Sequence, residues 1–160
     1  MVKDVDVFKR ILCATDFSDT AEGAWEIACE LARVHRAELV LVHVFADLPL
    51  YGYAELPAPN VQQIWDEQRL WVQQALDQRV GAATARGLTA RSELLTGSAP
   101  QAIADAAGSD GTDLVVIGTH GRTGLNRLVI GSVAERVVRI APCPVLTVKP
   151  ISRQSTRAAA

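Results

Sequence analysis

Short apolar runs, separated by segments of helical period, constrain the fold of this chain more than any other feature. The run from Leu114 to Ile117 is rich in β-branched residues and predicts a strand that is buried on both faces. Residues 8–15 and 38–45 contain similar runs and predict two more such strands. Residues 88–95 alternate only partly, which predicts a less buried strand, and Val145–Val148 is a fifth strand between prolines.

Amphipathic helices are predicted between these strands. The first begins at Ser18 or Asp19, either of which can cap it, and ends near His35. A long helix over residues 61–85 ends before Gly87, which suits the position just after a helix. The predicted apolar stripe of this long helix, interrupted by Gln68, consists of Ile64, Trp65, Val72, Ala75, Leu76 and Val80.

The alternation continues through a short helix over residues 101–107 to a last helix near Ser132. Ser132 and Glu135 fit a capping box, so Ser132 is predicted to be the N-cap. The apolar face of the last helix is predicted to hold Val133, Val137 and Ile140. Strand and helix thus alternate five times, which predicts a doubly wound α/β fold with a five-stranded parallel sheet and helices on both faces. Such sheets bind ligands beyond the carboxyl ends of their strands, where the strand order reverses.

A glycine cluster follows the strand at residues 114–117, with glycines at positions 118, 121 and 124. Glycine lets the backbone adopt positive φ and approach a ligand closely. The helix that follows offers unpaired N–H groups and the positive end of its dipole, and Arg122 and Arg127 add charge nearby. The segment lacks the Gly-Lys-Ser/Thr of a Walker A loop and the Rossmann glycine spacing. A phosphate site and a glycine-rich connection without a ligand both fit this pattern.

Composition and charge narrow the class of protein. The 160 residues suit a single domain, which we expect to span residues 1–150, followed by a disordered tail at 151–160. A net charge of −2 is unlike that of a non-specific nucleic-acid binder, and no apolar run reaches the length of a membrane span. The three cysteines form no CxxC pair and the N-terminus lacks a signal-peptide core, so we expect buried free thiols and a cytoplasmic location. Residues 46–60 hold three prolines and predict a long loop.

The glycine segment also carries a resemblance to a known family. Its glycine spacing is similar to the nucleotide-binding signature of the universal stress proteins, in their ATP-binding branch. In this spacing Gly118 is followed after two residues by Gly121, and after nine more by Gly131-Ser132. The Gly-Thr-His-Gly-Arg opening and the Gly-Ser-Val-Ala-Glu close of the segment resemble that family too. The resemblance implies a HUP/Rossmann-like sheet of order 3-2-1-4-5. In such a sheet Asp16, after strand one, would face Gly118, after strand four.

The resemblance also implies a set of nucleotide-binding residues. Asp16 would contact the nucleoside, although a turn or capping role also fits this residue. The backbone of Val44 would contact the adenine ring, although Val44 also fits a core position. Ala14 stands where relatives often have proline, so its contact is less secure. The phosphate and ribose would contact Gly118, Gly121, Arg122, Gly124, Gly131, Ser132 and Val133. Mg²⁺ or Mn²⁺ would accompany the nucleotide, held mainly by phosphate oxygens.

The function implied is that of a cytoplasmic stress-response sensor or regulator that binds ATP, or ADP or AMP, and forms a homodimer through Val145–Val148. No membrane or nucleic-acid partner is expected. A slow ATPase is an alternative, but no convincing general base is visible: His43 fits a satisfied core position, and His120 is a single loop histidine without a partner. A third possibility is a protein-interaction module that uses Trp71 and the proline-rich loop. No Cys/His cluster with metal-ligand spacing is visible.

Overall fold

The computed structural model describes residues 7–45, 61–119 and 131–150. Within these ranges strands and helices alternate along the chain, as the sequence predicts. The elements are β1 (Arg10–Ala14), α1 (Asp19–His35), β2 (Glu38–Phe45), α2 (Val61–Ala85), β3 (Ala90–Thr96), α3 (Ala99–Ser109), β4 (Leu114–Gly118), α4 (Ser132–Ile140) and β5 (Val145–Val148).

The five strands form one parallel sheet in the order β3-β2-β1-β4-β5. β1 lies at its centre, where Leu12 pairs with Val40 on one side and Val115 on the other. The three inner strands are the apolar runs of the sequence, while the less apolar β3 and the short β5 form the edges. The predicted fold class and strand order are confirmed, and the order reverses between β1 and β4.

Successive side chains of the inner strands separate into two apolar cores, one on each face of the sheet. Ile11 and Leu39 pack in the first core, with α1 and the buried residues Val72 and Leu76 of α2. Leu12 packs in the second core, with α3 and α4. The two layers of helices therefore cover opposite faces of the sheet, as a doubly wound fold requires.

Two predicted helix ends are confirmed by their hydrogen bonds. Ser18 is the N-cap of α1, and its hydroxyl accepts from the amide of Ala21 at 3.2 Å. Gly87 adopts a φ of 84° after α2. The amide of Gly87 donates to the carbonyl of Thr84, and the amide of Leu88 donates to that of Ala83. These paired bonds satisfy the last carbonyls of the helix, as expected of glycine at this position.

The predicted cap of α4 is wrong. The N-cap is Gly131, whose carbonyl accepts the first helical hydrogen bond from Glu135 at 3.0 Å. In the part of the chain that the structure describes, no side chain caps this helix. Ser132 is the first helical residue, one position after the N-cap position that the serine of a capping box must occupy. The Glu135 carboxylate pairs instead with Arg139, four residues on.

Two predicted apolar faces are also partly wrong. In α4 only Ala134 and Val137 are buried, whereas Val133 and Ile140 are 37% and 42% exposed. In α2 the stripe is covered at Val72 and Leu76, but Ile64 near the start of the helix is 52% exposed. Helical period identifies residues that share a face, but it does not show how far the neighbouring layer extends over that face.

The three cysteines carry free thiols, as predicted. Cys13 and Cys29 are buried, and Cys143 is half-buried. Burial raises the pKa of the Cys29 thiol to about 11, so this group stays protonated and unreactive at neutral pH.

Some predictions fall on parts of the chain outside the described residues: the loop at 46–60, the glycine segment at 120–130 and the tail at 151–160. Among the helices that are described, none combines the length and the apolar character needed to cross a membrane.

Candidate functional site

A cavity of about 370 Å³ lies beyond the carboxyl ends of the strands, where the strand order reverses between β1 and β4. Four stretches distant in sequence meet there: the end of β1, the end of β2, the start of α3, and the end of β4 together with the start of α4. The described residues that line it are Ala14, Thr15, Asp16, Ala21, Val42, His43, Val44, Ala99, Ile103, Ile117, Gly118, Thr119, Gly131, Ser132, Val133 and Ala134.

The first wall is the end of β1. Ala14 pairs with Val42 on one side and Ile117 on the other, so this small side chain lies at the middle of the cavity floor. Asp16 follows in the turn to α1, where its Oδ1 accepts from the amide of Ser18 at 3.1 Å and from the Ser18 hydroxyl at 2.6 Å. The carboxylate therefore has the turn role that the sequence allowed and also borders the cavity.

The second wall is the end of β4. A Cβ added to Gly118 would lie 3.0 Å from Cγ2 of Thr20 and 3.3 Å from its carbonyl oxygen. Close approach of α1 therefore explains this glycine, independently of any ligand. The amide of Thr119 donates to Val148 at 2.8 Å, and its carbonyl accepts from the amide of Gly131 at 2.6 Å. The first bond ties Thr119 to β5, and the second joins the residues on either side of segment 120–130 beside the cavity.

The third wall is the N-terminus of α4. In helix geometry the first-turn amides of Ser132, Val133 and Ala134 have no acceptor within the helix, and all three residues line the cavity. Gly131, the N-cap, has no side chain that could accept from them. The N-terminus of α1 differs because the Ser18 hydroxyl already accepts from an amide there. The start of α3 also has no side-chain cap among the described residues, but only the first residue of its first turn lines the cavity. The start of α4, with three first-turn residues there, is therefore the end of the cavity that is best suited to an anion.

The remaining wall is apolar. Val44 at the end of β2 lies with Ala99 and Ile103 of α3 along this side of the cavity. Such a surface suits a flat or apolar group. Apolar walls, a carboxylate and an uncapped helix start in one cavity suit a ligand with a hydrophobic ring, hydroxyl groups and an anionic group.

His43 is a satisfied histidine, as predicted, but it is half-buried and not part of the deep core. Its Nδ1 lies 2.8 Å from the carbonyl oxygen of Thr15. Its ring stacks on Phe17, with 4.8 Å between the ring centroids. Phe17 itself has a φ of 63°, an unusual conformation for a bulky residue that no local sequence pattern predicts.

Of the predicted site residues, the structure brings together Ala14, Asp16, Val44, Gly118, Gly131, Ser132 and Val133, all of which line the cavity. Gly121, Arg122, Gly124 and His120 lie outside the described residues. Sequence reasoning missed Thr15, Thr119, Ala99 and Ile103. The position of α3 directly after β3 could have indicated the last two, because crossover helices flank the carboxyl ends of the strands.

Within residues 7–45, 61–119 and 131–150, no group of three or more His, Cys, Asp or Glu side chains is arranged to hold a metal ion.

Comparison with known proteins agrees with the fold. The sequence pattern that defines the Universal stress protein family matches residues 8–149, nearly the whole chain. The chain belongs to the universal stress protein family. Universal stress protein MJ0531 of Methanocaldococcus jannaschii is 36% identical to it over 149 residues, which cover 90% of this chain and 84% of that relative.

Solved structures show the same architecture. The structure of protein MJ0577 from the same archaeon has a TM-score of 0.77 and 26% identity, covering 89% of this chain and 96% of that one. A universal stress protein from Archaeoglobus fulgidus, solved in complex with dAMP, has a TM-score of 0.64 and 27% identity, covering 89% and 99% of the two chains.

Proposed function

We propose that the cavity binds an adenine nucleotide, ATP or its products ADP and AMP, and that the protein acts as a nucleotide-dependent sensor or regulator in the stress response. One observation carries the proposal. The ends of β1, β2 and β4 and the uncapped start of α4 line a single cavity at the reversal of strand order. The Archaeoglobus relative that was solved with dAMP supports an adenine nucleotide as the ligand.

The phosphates are proposed to lie at the start of α4. The amides of Ser132, Val133 and Ala134 can donate to phosphate oxygens, and the helix dipole favours negative charge there. Gly118 and Gly131 contribute main chain on the same side. The family signature extends the proposed phosphate and ribose contacts to Gly121, Arg122 and Gly124.

The nucleoside is proposed to lie across the inner strands. Asp16 is a carboxylate that can only accept hydrogen bonds when ionised, so it suits the hydroxyl groups of a ribose better than a phosphate. The adenine ring would lie between Ala14 and the apolar side formed with Ile103, with the main chain of Val44 available to its polar edge.

A divalent cation, Mg²⁺ or Mn²⁺, is proposed to arrive with the nucleotide. Asp16 is the one carboxylate among the described lining residues, too few ligands for a protein-built Mg²⁺ site. Most of the ligands of such an ion would therefore be phosphate oxygens and water. The free thiols Cys13, Cys29 and Cys143 support the cytoplasm as the compartment.

The same fold supports a homodimer through β5. The edge strand β3 carries Arg91 and Glu93, which form ion pairs, and charges of this kind protect a sheet edge from pairing. The other edge, β5, has the uncharged sequence Val-Leu-Thr-Val, and Leu146 is 38% exposed. We propose that two copies pair along this strand. Leu146→Lys should give a monomer in analytical ultracentrifugation at micromolar concentration, whereas Thr96→Lys at the β3 edge should leave the dimer intact. A monomeric unmodified protein would refute the proposal.

Calorimetric titration with ATP, ADP and AMP tests the nucleotide proposal. Asp16→Asn keeps the shape of the side chain and its bond from Ser18, but it removes the charge that strengthens a bond to ribose. We expect this change to weaken ATP binding by about 10- to 100-fold, the range for a hydrogen bond to a charged group. Asp19→Asn, an exposed acidic residue three positions on that does not line the cavity, is the matched control and should bind like the unmodified protein. The proposal fails if none of the three nucleotides binds.

A further inference from the structure

The turn between β1 and α1 holds a strained residue beside the cavity. Phe17 has a φ of 63°, a left-handed conformation that bulky side chains rarely adopt. Such a conformation persists where the surrounding structure imposes it, and it is often found at functional sites. The residue before Phe17 is Asp16, which lines the cavity. The contacts that hold Phe17 in this conformation therefore also help to set the position of Asp16.

The groups that hold the Phe17 ring come from β2 and α2. The ring stacks on His43 with an interplanar angle of 26°, and it meets the edge of Trp71 at 5.3 Å between ring centroids. The guanidinium carbon of Arg79 lies 4.8 Å from the ring centroid. Phe17 packs against the first apolar core, whereas the cavity residues Ala14, Ile103 and Ala134 belong to the second. The support of the turn thus comes from the face of the sheet opposite the cavity wall.

His43 also makes a direct bond to the turn. Its Nδ1 lies 2.8 Å from the Thr15 carbonyl oxygen, and because a carbonyl can only accept, Nδ1 must carry the proton. The Thr15 carbonyl and the Asp16 amide belong to one planar peptide group. Holding this oxygen therefore fixes the plane from which Asp16 projects. The amide of Thr15 donates to Val42 at 2.9 Å, so the peptide groups on both sides of Thr15 are tied to β2.

We infer that His43 is a positioning residue for the nucleotide cavity: its Nδ1–H bond to Thr15, braced by the stack on Phe17, holds the turn in the geometry that presents Asp16. The inference rests on the proposed nucleotide function. It makes ligand affinity depend on ring contacts between β2 and α2, and His43 connects these contacts to the cavity because it also lines it. Trp71, 53% exposed on α2, is the outermost member of this ring cluster.

Two substitutions at His43 separate the hydrogen bond from the ring stack. His43→Phe keeps a ring against Phe17 but loses the donor. His43→Asn loses the ring but places an amide N–H close to the position of Nδ1. His43→Phe should raise the dissociation constant for ATP about tenfold, and His43→Asn should stay within about threefold of the unmodified protein. Trp65→Leu is the matched control, because it removes an aromatic contact with Phe45 from the same layer without touching Phe17.

Hydrogen exchange of the amides of residues 15–18, measured without nucleotide, is the second readout. We expect faster exchange there in His43→Phe than in His43→Asn or in the Trp65→Leu control. Equal ATP affinity in His43→Phe and the unmodified protein would overturn the inference, and so would equal weakening in the two His43 variants. If the unmodified protein binds no nucleotide, the proposed function fails, while the exchange result still decides whether His43 holds the turn.

Discussion

Gly118→Ala tests whether the glycine at the end of β4 is required by packing against α1. The added Cβ would lie 3.0 Å from Cγ2 of Thr20 and 3.3 Å from both its carbonyl carbon and its carbonyl oxygen. The methyl group of Thr20 can move only by rotating a buried side chain, and the carbonyl can move only with α1 itself. Overpacking of this kind typically costs about 1–3 kcal/mol of folding free energy.

The expected result is a lower melting temperature. For a chain of this size each kcal/mol corresponds to about 2–4 °C, so Gly118→Ala should melt roughly 2–12 °C below the unmodified protein in a calorimetric scan without nucleotide. Gly81→Ala is the matched control, because its Cβ would meet nothing within 4 Å in the interior of α2. That change should stabilise the protein by up to about 1 kcal/mol, since alanine is the better helix former.

A second substitution identifies the contact. Thr20→Ser removes the Cγ2 that lies closest to the added methyl group, so the pair Gly118→Ala/Thr20→Ser should lose less stability than the two single changes together predict. If Gly118→Ala melts at or above the temperature of the unmodified protein, the packing explanation is wrong. The glycine would then have to be explained by the ligand alone.

Three further predictions concern caps, a buried hydroxyl and acid stability. Ser18→Ala should cost about 1 kcal/mol through the lost cap of α1, whereas Ser132→Ala should stay within about 0.5 kcal/mol because α4 has no side-chain cap; chemical denaturation compares the two. Thr112→Val removes a buried hydroxyl that has no hydrogen-bond partner among the described residues, and it should raise stability by about 1 kcal/mol in the same assay; a loss would show that the hydroxyl is satisfied by water. The hydrogen bond from Arg10 lowers the pKa of Glu38 from its ordinary 4.5, so this carboxylate stabilises the fold above that pH, and the contribution is lost as pH falls through the lowered pKa. Glu38→Gln should therefore reduce the fall in melting temperature as the pH drops below about 4.5. An unchanged dependence of melting temperature on pH in this acidic range would contradict the stabilising role of the Glu38 carboxylate.

The strands and the long helix could be predicted from sequence because local pattern determines them. β2 and α2 have the predicted limits, Glu38–Phe45 and Val61–Ala85. Both are continuous patterns with clear ends: a buried apolar run in one case, and a helical period that stops before Gly87 in the other. The position of the cavity also followed from sequence, since the alternation of elements defines the sheet and the sheet defines where its strands end.

Other features depend on contacts that local sequence does not contain. Whether Ser132 or Gly131 is the N-cap of α4 depends on the hydrogen bond from the Gly131 amide to the Thr119 carbonyl, which joins the two sides of segment 120–130. Gly118 looked like part of a phosphate loop, but its closest neighbour is Thr20, almost one hundred positions earlier. The φ of Phe17 follows from ring contacts with β2 and α2, which only the folded chain brings together.

The role of α4 became clearer because one prediction was wrong. A serine cap at the start of this helix would have competed with a ligand for the first amides. With Gly131 as the N-cap, no side chain among the described residues performs that role, so the first-turn amides can be satisfied from the cavity. The absence of a side-chain cap on α4 therefore supports an anion site more strongly than the predicted capping box did.

The most direct test of the nucleotide site is a titration of ¹⁵N-labelled protein with ATP, followed by amide resonances. The amides of Ser132, Val133 and Ala134 should shift the most within α4, together with those of Asp16 and Val44, while Gly81 on α2 should not move. Shifts elsewhere that leave the start of α4 unchanged, or no shifts at millimolar ATP, would contradict the assignment of this cavity as the nucleotide site.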